Sequence, residues 1–207
     1  SGRLQGLIAA LNDPMNFNTP HRVTTLGRQN DEFYTENGTY WLGAVYGTTN
    51  TMVIKGLAAN GQDSLATEIA NNHLLSMFFT WIRGGTIHDN YNQSTVGLPG
   101  GRTRDLYVGT GGITPIHTLF EHILGIRVDA PERTLHWRLH RTDTHGIRNL
   151  GWGDDWAHRT DLIATPEADS SWSVSVSSNK HFKLVISGAV DTTLSVERGE
   201  DQQFQVR

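Results

Sequence analysis

A mainly helical chain with a β appendage is the fold class this sequence predicts, and three observations lead there. Apolar residues recur at helical spacing through roughly the first 125 residues. After Gly125 the period changes to two. Polar turns then return about every ten residues, as between the strands of a small antiparallel sandwich or sheet. The 207 residues suit one domain, or one large domain with an appendage, and folding at this size buries roughly 70% of the chain's surface. The expected division is 1–125 helical and 126–207 antiparallel β.

In chain order, Arg3 to Leu11 places Leu4, Leu7, Ile8 and Leu11 on one helical face, and Asn12-Asp13-Pro14 stops it. Thr51 to Ala59 predicts a short apolar helix closed by Asn60-Gly61. The longest helix runs from Asp63 to Trp81, with a stripe of Leu65, Ile69, Leu74, Met77, Phe78 and Trp81 before Gly84-Gly85. A further helix follows Pro115, carrying Ile116, Leu119, Phe120, Ile123 and Leu124. Long loops rich in Gly, Asn and Thr fill residues 12–48 and 84–114. Alternation then marks strands at Thr134–His140, Asp161–Ala164, Trp172–Val176, Phe182–Ile186, Leu194–Val196 and Phe204–Val206.

Charge and composition exclude several function classes. Seventeen Lys and Arg against 21 Asp and Glu leave a net charge of −4, which argues against a nucleic-acid or anionic-lipid surface. The absence of Cys removes disulfides, thiolate metal sites and cysteine nucleophiles. No apolar run approaches 18 residues and no basic-then-apolar leader opens the chain, so a soluble protein is expected, in no particular compartment. The chain begins Ser1-Gly2 rather than with Met, so the start of the gene product is expected upstream.

The loops carry the chemistry. Tyr34, Tyr40, Trp41, Tyr46, Trp81 and Tyr91 are interleaved with Asn37, Asn50, Asp89, Asn90 and Asn92. Flat rings beside amides and carboxylates suit a sugar, with its apolar face and hydroxyl edge; capping the ends of a helix bundle would need the same rings. In Thr86-Ile87-His88-Asp89-Asn90-Tyr91-Asn92, a carboxylate on a rim loop could activate water as a general base, or simply close an Asx turn.

Other features read blandly. His136, Arg138 and His140 share a strand face with His145 following, but no acidic residue matches them as a metal ligand. His117 and His122 are five apart, so a helix is expected to separate them at the edge of the core. The sequons at Asn37 and Asn92 are near chance frequency, and Asp154-Asp155 reads as a turn. Gly109–Gly112 lacks the Lys of a phosphate loop, and no Gly-x-Ser-x-Gly elbow is present.

The segment Tyr40-Trp41-Leu42-Gly43-Ala44-Val45-Tyr46, followed by Asn50 and Met52-Val53-Ile54-Lys55-Gly56-Leu57, resembles a stretch of the (α/α)6-barrel glycosidases. The pattern is similar to that of glycoside hydrolase family 63 and its trehalase-like and mannosylglycerate-hydrolase-like relatives. Ala66–His73 is similar to a further family helix, Asp89-Asn90-Tyr91 to the Glu-x-Tyr motif, and Gly109-Thr110-Gly111-Gly112 to Gly-Trp-Ser-Gly. The match continues through Gly125–Pro131, Leu135–Leu139 and His145–Leu150, covering about residues 3–165.

This resemblance implies a partial (α/α)6 toroid of helical hairpins and an inverting glycosidase acting on short α-linked oligosaccharides or glycosides. Asp89 would be the general base, Trp41 and Asn50 would line the sugar site, and Tyr91 would buttress it. Tyr46, Trp81 and His88 complete the candidate substrate-binding set. No cofactor or metal is implied. Three departures accompany the match: Asp stands for Glu at position 89, Thr110 and Tyr46 replace Trp, and the family's general acid lies upstream of Ser1. The expected partners are a carbohydrate and either an N-terminal segment or a second copy completing the barrel. The alternative is a non-catalytic carbohydrate-binding or assembly module derived from such an enzyme.

Overall fold

The helix α1 (Gly2–Asn12) opens the first of two units, Ser1–Ile123 and Leu124–Arg207. The computed structural model describes residues 2–33, 39–103, 109–153, 157–188, 191–199 and 201–207. Tyr34, Asn37 and Asp154-Asp155 therefore lie outside the described residues.

The two-residue strand β1 (Val45–Tyr46) leads directly into α2 (Gly47–Ala59). Just beyond this helix stands Gly61, whose φ of 68° is the left-handed conformation that glycine adopts without strain. Gln62 N–H donates to the Leu57 carbonyl and Gly61 N–H to that of Ala58, so the last carbonyls are satisfied in a Schellman motif. The long helix α3 (Asp63–Gly84) follows, with Asp63 in its first turn and Arg83 in its last, both favourable to the helix dipole. After it come β2 (Asn90–Tyr91), a short 3-10 turn at Gly109–Gly111, and α4 (Thr114–His117). Helix α4 passes without interruption into a π-helix, Thr118–Ile123.

Ile54 and Leu57 of α2 meet Ala66, Ile69 and Ala70 of α3 in one core, closed by Leu11 and Ile123. Each fully buried Leu or Ile side chain here contributes roughly 1.5–3 kcal/mol by leaving water. The π-helix corrects the expectation that a helix separates His117 from His122, because their ring centroids lie 5.5 Å apart.

Among its described residues the second unit contains strands and no helix. They are β3 (Ile126–Asp129), β4 (Thr134–Arg138), β5 (His145–Leu150), β6 (Thr160–Pro166), β7 (Trp172–Ser178), β8 (Phe182–Ser187), β9 (Thr192–Val196) and β10 (Asp201–Val206). One sheet runs β10-β7-β6-β5 and the other β3-β4-β8-β9. All pairings are antiparallel except β4 with β8, which is parallel. Alternate residues are buried, among them Leu135, Trp137, Leu162, Val174, Phe182 and Leu184.

The mainly helical, toroidal expectation is overturned. Four α-helices stand beside ten strands in three sheets among the described residues, with 31% helix and 28% strand. The reason is local: the described residues between α1 and α2 and between α3 and α4 are rich in Gly, Asn, Thr and Pro, which disfavour helix, and form mostly turns and the β1–β2 ladder. No helix of the described residues is long and apolar enough to cross a membrane.

Candidate active site

Strands β1 and β2 pair antiparallel, Val45 opposite Tyr91 and Tyr46 opposite Asn90. Single bridges add Thr24 to Val45 and Pro99 to Tyr91, so four loop segments converge on this small ladder. It joins the aromatic segment at 40–46 to the acidic segment at 88–92.

On the aromatic side, Trp41 stacks on Tyr46 with centroids 4.3 Å apart and planes 2° from parallel. Tyr40 meets both rings edge-on. Trp41 is half exposed whereas Tyr46 is buried, so the indole presents its other face outward on a rigid backing. Gly43, with φ of 120°, turns the chain between them, and any side chain there would strike the Phe33 ring.

Asp89 is half-buried. Its Oδ1 accepts hydrogen bonds from Asn90 Nδ2 (2.8 Å) and Thr103 Oγ1 (2.6 Å). Both donors are side chains, so the carboxylate does not make the backbone bonds of an Asx turn. Among the described residues no donor reaches Oδ2. Gly111 lies against this segment, its missing Cβ position 3.5 Å from the His88 carbonyl oxygen.

Behind Asp89 stands a buried aromatic stack. The Tyr91 hydroxyl accepts a hydrogen bond from the His88 N–H (3.1 Å), and its ring packs edge-on against His73 and His88 and at a tilt against His21. Burial pushes the Tyr91 hydroxyl up to about 12, and the nearby Asp89 charge adds to this. His21 Nε2 and His73 Nδ1 share a hydrogen bond of 2.7 Å. Burial holds His73 down to about 3 and also holds His21 well below its usual value. This pair is therefore neutral at pH 7, one ring donating to the other.

The remaining candidate residues take different places. Asn50 is fully buried: its Oδ1 accepts the Val23 N–H, and its Nδ2 donates to the Val23 and Tyr46 carbonyls. It bolts α2 to two loops. His88 is buried against Tyr91, with an Nδ1 that has no hydrogen-bond partner. Trp81 is half exposed on α3 and borders a shallow apolar hollow of about 170 Å³ with Leu74, Met77, Phe78, Ile87 and Pro115. Asn92 of the second sequon is buried, its Oδ1 accepting the Ser94 and Thr95 N–H groups. A larger cavity, about 330 Å³, belongs to the second unit and is lined by Trp152, His158, Asn179 and the cations Arg133, Lys180 and Arg198.

Sequence reasoning missed Thr103 and His21. Thr103 lies fourteen residues from Asp89 and His21 fifty-two from His73, so no local pattern links them.

With this geometry in place, residues 3–95 match the model of the mannosylglycerate hydrolase MGH1-like glycoside hydrolase domain. The chain is glycoside hydrolase-like over this stretch. A protein of Borreliella burgdorferi (strain ATCC 35210 / DSM 4680 / CIP 102532 / B31), described as an uncharacterized protein, is 24% identical over 209 residues. That alignment covers 95% of this chain but 43% of the relative, so the chain spans less than half of that relative's length.

Proposed function

We propose that this chain carries the general-base half of an inverting glycosidase site acting on short α-linked oligosaccharides or glycosides, in the manner of glycoside hydrolase family 63 and its relatives. Asp89 is the base. The observation that carries the reading is its setting: a half-buried carboxylate, inside the glycoside hydrolase-like stretch, fixed through one oxygen by Asn90 and Thr103. The second oxygen is then available to orient and deprotonate a water. Tyr91 and His88 set the backbone around it, Trp41 on Tyr46 offers a sugar platform, and Asn50 positions β1 rather than touching substrate.

An inverting enzyme needs a second carboxyl across a water-sized gap. The relative's greater length supports that acid, and a cover for the apolar outward face of α3, coming from a segment outside this chain. The test uses the longest native reading frame that contains the chain, assayed on aryl α-glycosides. Asp89→Asn is expected to lower kcat by about 10²- to 10⁴-fold. Unchanged turnover in that variant would remove Asp89 from the mechanism. The 207 residues alone are expected to hydrolyse nothing, since one carboxylate cannot make both proton transfers.

The half-exposed Trp41 favours a second reading, carbohydrate binding without hydrolysis. Trp41→Ala would then abolish sugar binding, while Asp89→Asn would leave it intact.

A further inference from the structure

We propose that His117, Glu121 and His122 form a binding site for a divalent first-row transition-metal ion. One ligand atom from each residue falls within 4.8 Å of the others. The backbone makes this possible. At about 100° per residue an α-helix points residue i+5 roughly 140° away from residue i. In a helix bonded from i to i+5, both i+4 and i+5 return beside i, and this segment is such a π-helix. Glu121 and His122 thus flank His117, with ring centroids of the two histidines 5.5 Å apart.

The donors choose the ion. Two imidazoles and one carboxylate suit zinc or its neighbours, and they are a poor set for magnesium or calcium, which prefer oxygen shells. His117 Nε2 already lies 2.5 Å from Glu121 Oε2. His117 Nδ1 is buried without a hydrogen-bond partner, so the protein alone leaves this ring only half satisfied. His122 is buried, while His117 and Glu121 are 29% and 26% exposed, which leaves room for water to complete a tetrahedral shell. In such a shell, adjacent donors stand about 3.3 Å apart, so the His117–Glu121 contact opens by less than an ångström. Among the described residues, the other charge paired with this carboxylate is Lys55, 3.8 Å from the same oxygen and more than half exposed. It swings to solvent as the metal enters.

The whole chain, stripped with a chelator, is titrated with Zn²⁺ against a chromophoric competitor and separately with Co²⁺. One equivalent of Zn²⁺ is expected to bind, and Co²⁺ to show the intense visible bands of a four- or five-coordinate site. His117→Gln and Glu121→Gln are each expected to weaken Zn²⁺ at least about tenfold and to erase those bands, whereas His136→Gln, on β4, binds as the wild type does. The Co²⁺ spectrum of the wild type needs no variant. A spectrum identical to that of the hydrated ion, no stoichiometric Zn²⁺ binding, or undiminished binding by both variants would each overturn the site.

Discussion

In the second unit, the inward side chains of both sheets are sealed, and Val128 is the large apolar residue it leaves substantially exposed among those described. In the first unit, Leu75, Phe78, Phe79, Trp81 and Ile82 stand open along α3, with Ile113 and Ile116 beyond them. A strand has two faces and alternates them, so two sheets can close one core and leave the polar face to water. Helix α3 instead buries Ala66, Ile69, Ala70, His73 and Met77 on one side while keeping apolar residues at 75, 78, 79 and 82 on another. A helix segment apolar on two sides, as the second half of α3 is, is built to be covered on both. The comparison teaches that the strands satisfy their own pattern, whereas the helical unit has a face that its own chain leaves open.

The largest expected effect tests that contrast directly. Trp137 is fully buried between the sheets, and its Nε1 donates to the Leu124 carbonyl. Trp137→Ala is expected to cost about 3–5 kcal/mol, whereas Ile82→Ala, 57% exposed, should change stability by less than about 0.5 kcal/mol. Equal losses in chemical denaturation would show that the face of α3 is not open.

The pH dependence separates the units next. In the first unit, His21 and His73 are buried as a neutral pair, so between about pH 3 and 6.5 the unfolded chain binds more protons than the native one. Their contribution is complete above about pH 6.5 and is lost as the pH falls. For His73 the loss is roughly 2 kcal/mol between pH 6.5 and 4.5. Burial also lowers His145 in the second unit, but less far, so its contribution is lost over a narrower pH range. Unfolding midpoints against pH should show the steep dependence in the wild type and a flatter one in His73→Phe. An unaltered slope would contradict it.

What the sequence revealed follows the same division. The alternating runs fall on β4 and on β6 to β10 because a pattern of period two is read within a few residues. The helices at Gly2–Asn12, Gly47–Ala59 and Asp63–Gly84 were likewise marked by local stripes and stop signals. The fold class was not legible. It was extended from a resemblance to regions where Gly, Asn and Thr favour turns, and β1, β2, β3 and β5 are too short or too polar to announce themselves. At the site, the motifs exposed Asp89, Trp41 and Tyr91. The partners that hold them, Thr103 and the His21–His73 pair, depend on chain crossings that carry no local signal. The π-helix was equally hidden, since Thr118–Ile123 has no composition that distinguishes it from an ordinary helix.

A smaller effect sharpens the account of Asp89. Thr103→Val keeps the shape of the side chain but deletes the 2.6 Å donor to Oδ1. The carboxylate is half open to water, so the loss should be about 1 kcal/mol, at the low end for a charged hydrogen bond. Thr103→Ser should restore it. A full wild-type stability in the valine variant would mean that Asp89 is not fixed by this bond, and the reading of it as a positioned base would weaken.

The smallest stability change carries the most information about the open face. Phe78 and Ile82 lie four residues apart, one turn along α3, and are 48% and 57% exposed. Glutamate at both positions leaves no charge buried in the isolated chain, so its unfolding free energy should shift by less than about 0.5 kcal/mol. Association is a different matter. An apolar stripe of this size, with Trp81 and Ile116 beside it, should drive concentration-dependent self-association of the wild-type chain, and two carboxylates on it should abolish that by desolvation and repulsion. Sedimentation velocity across a hundredfold range of concentration distinguishes the cases. A wild-type chain that stays monomeric throughout would mean that water alone covers α3. If the double variant unfolds instead, the residues already belong to a packed core, and the contrast between the two units fails at its source.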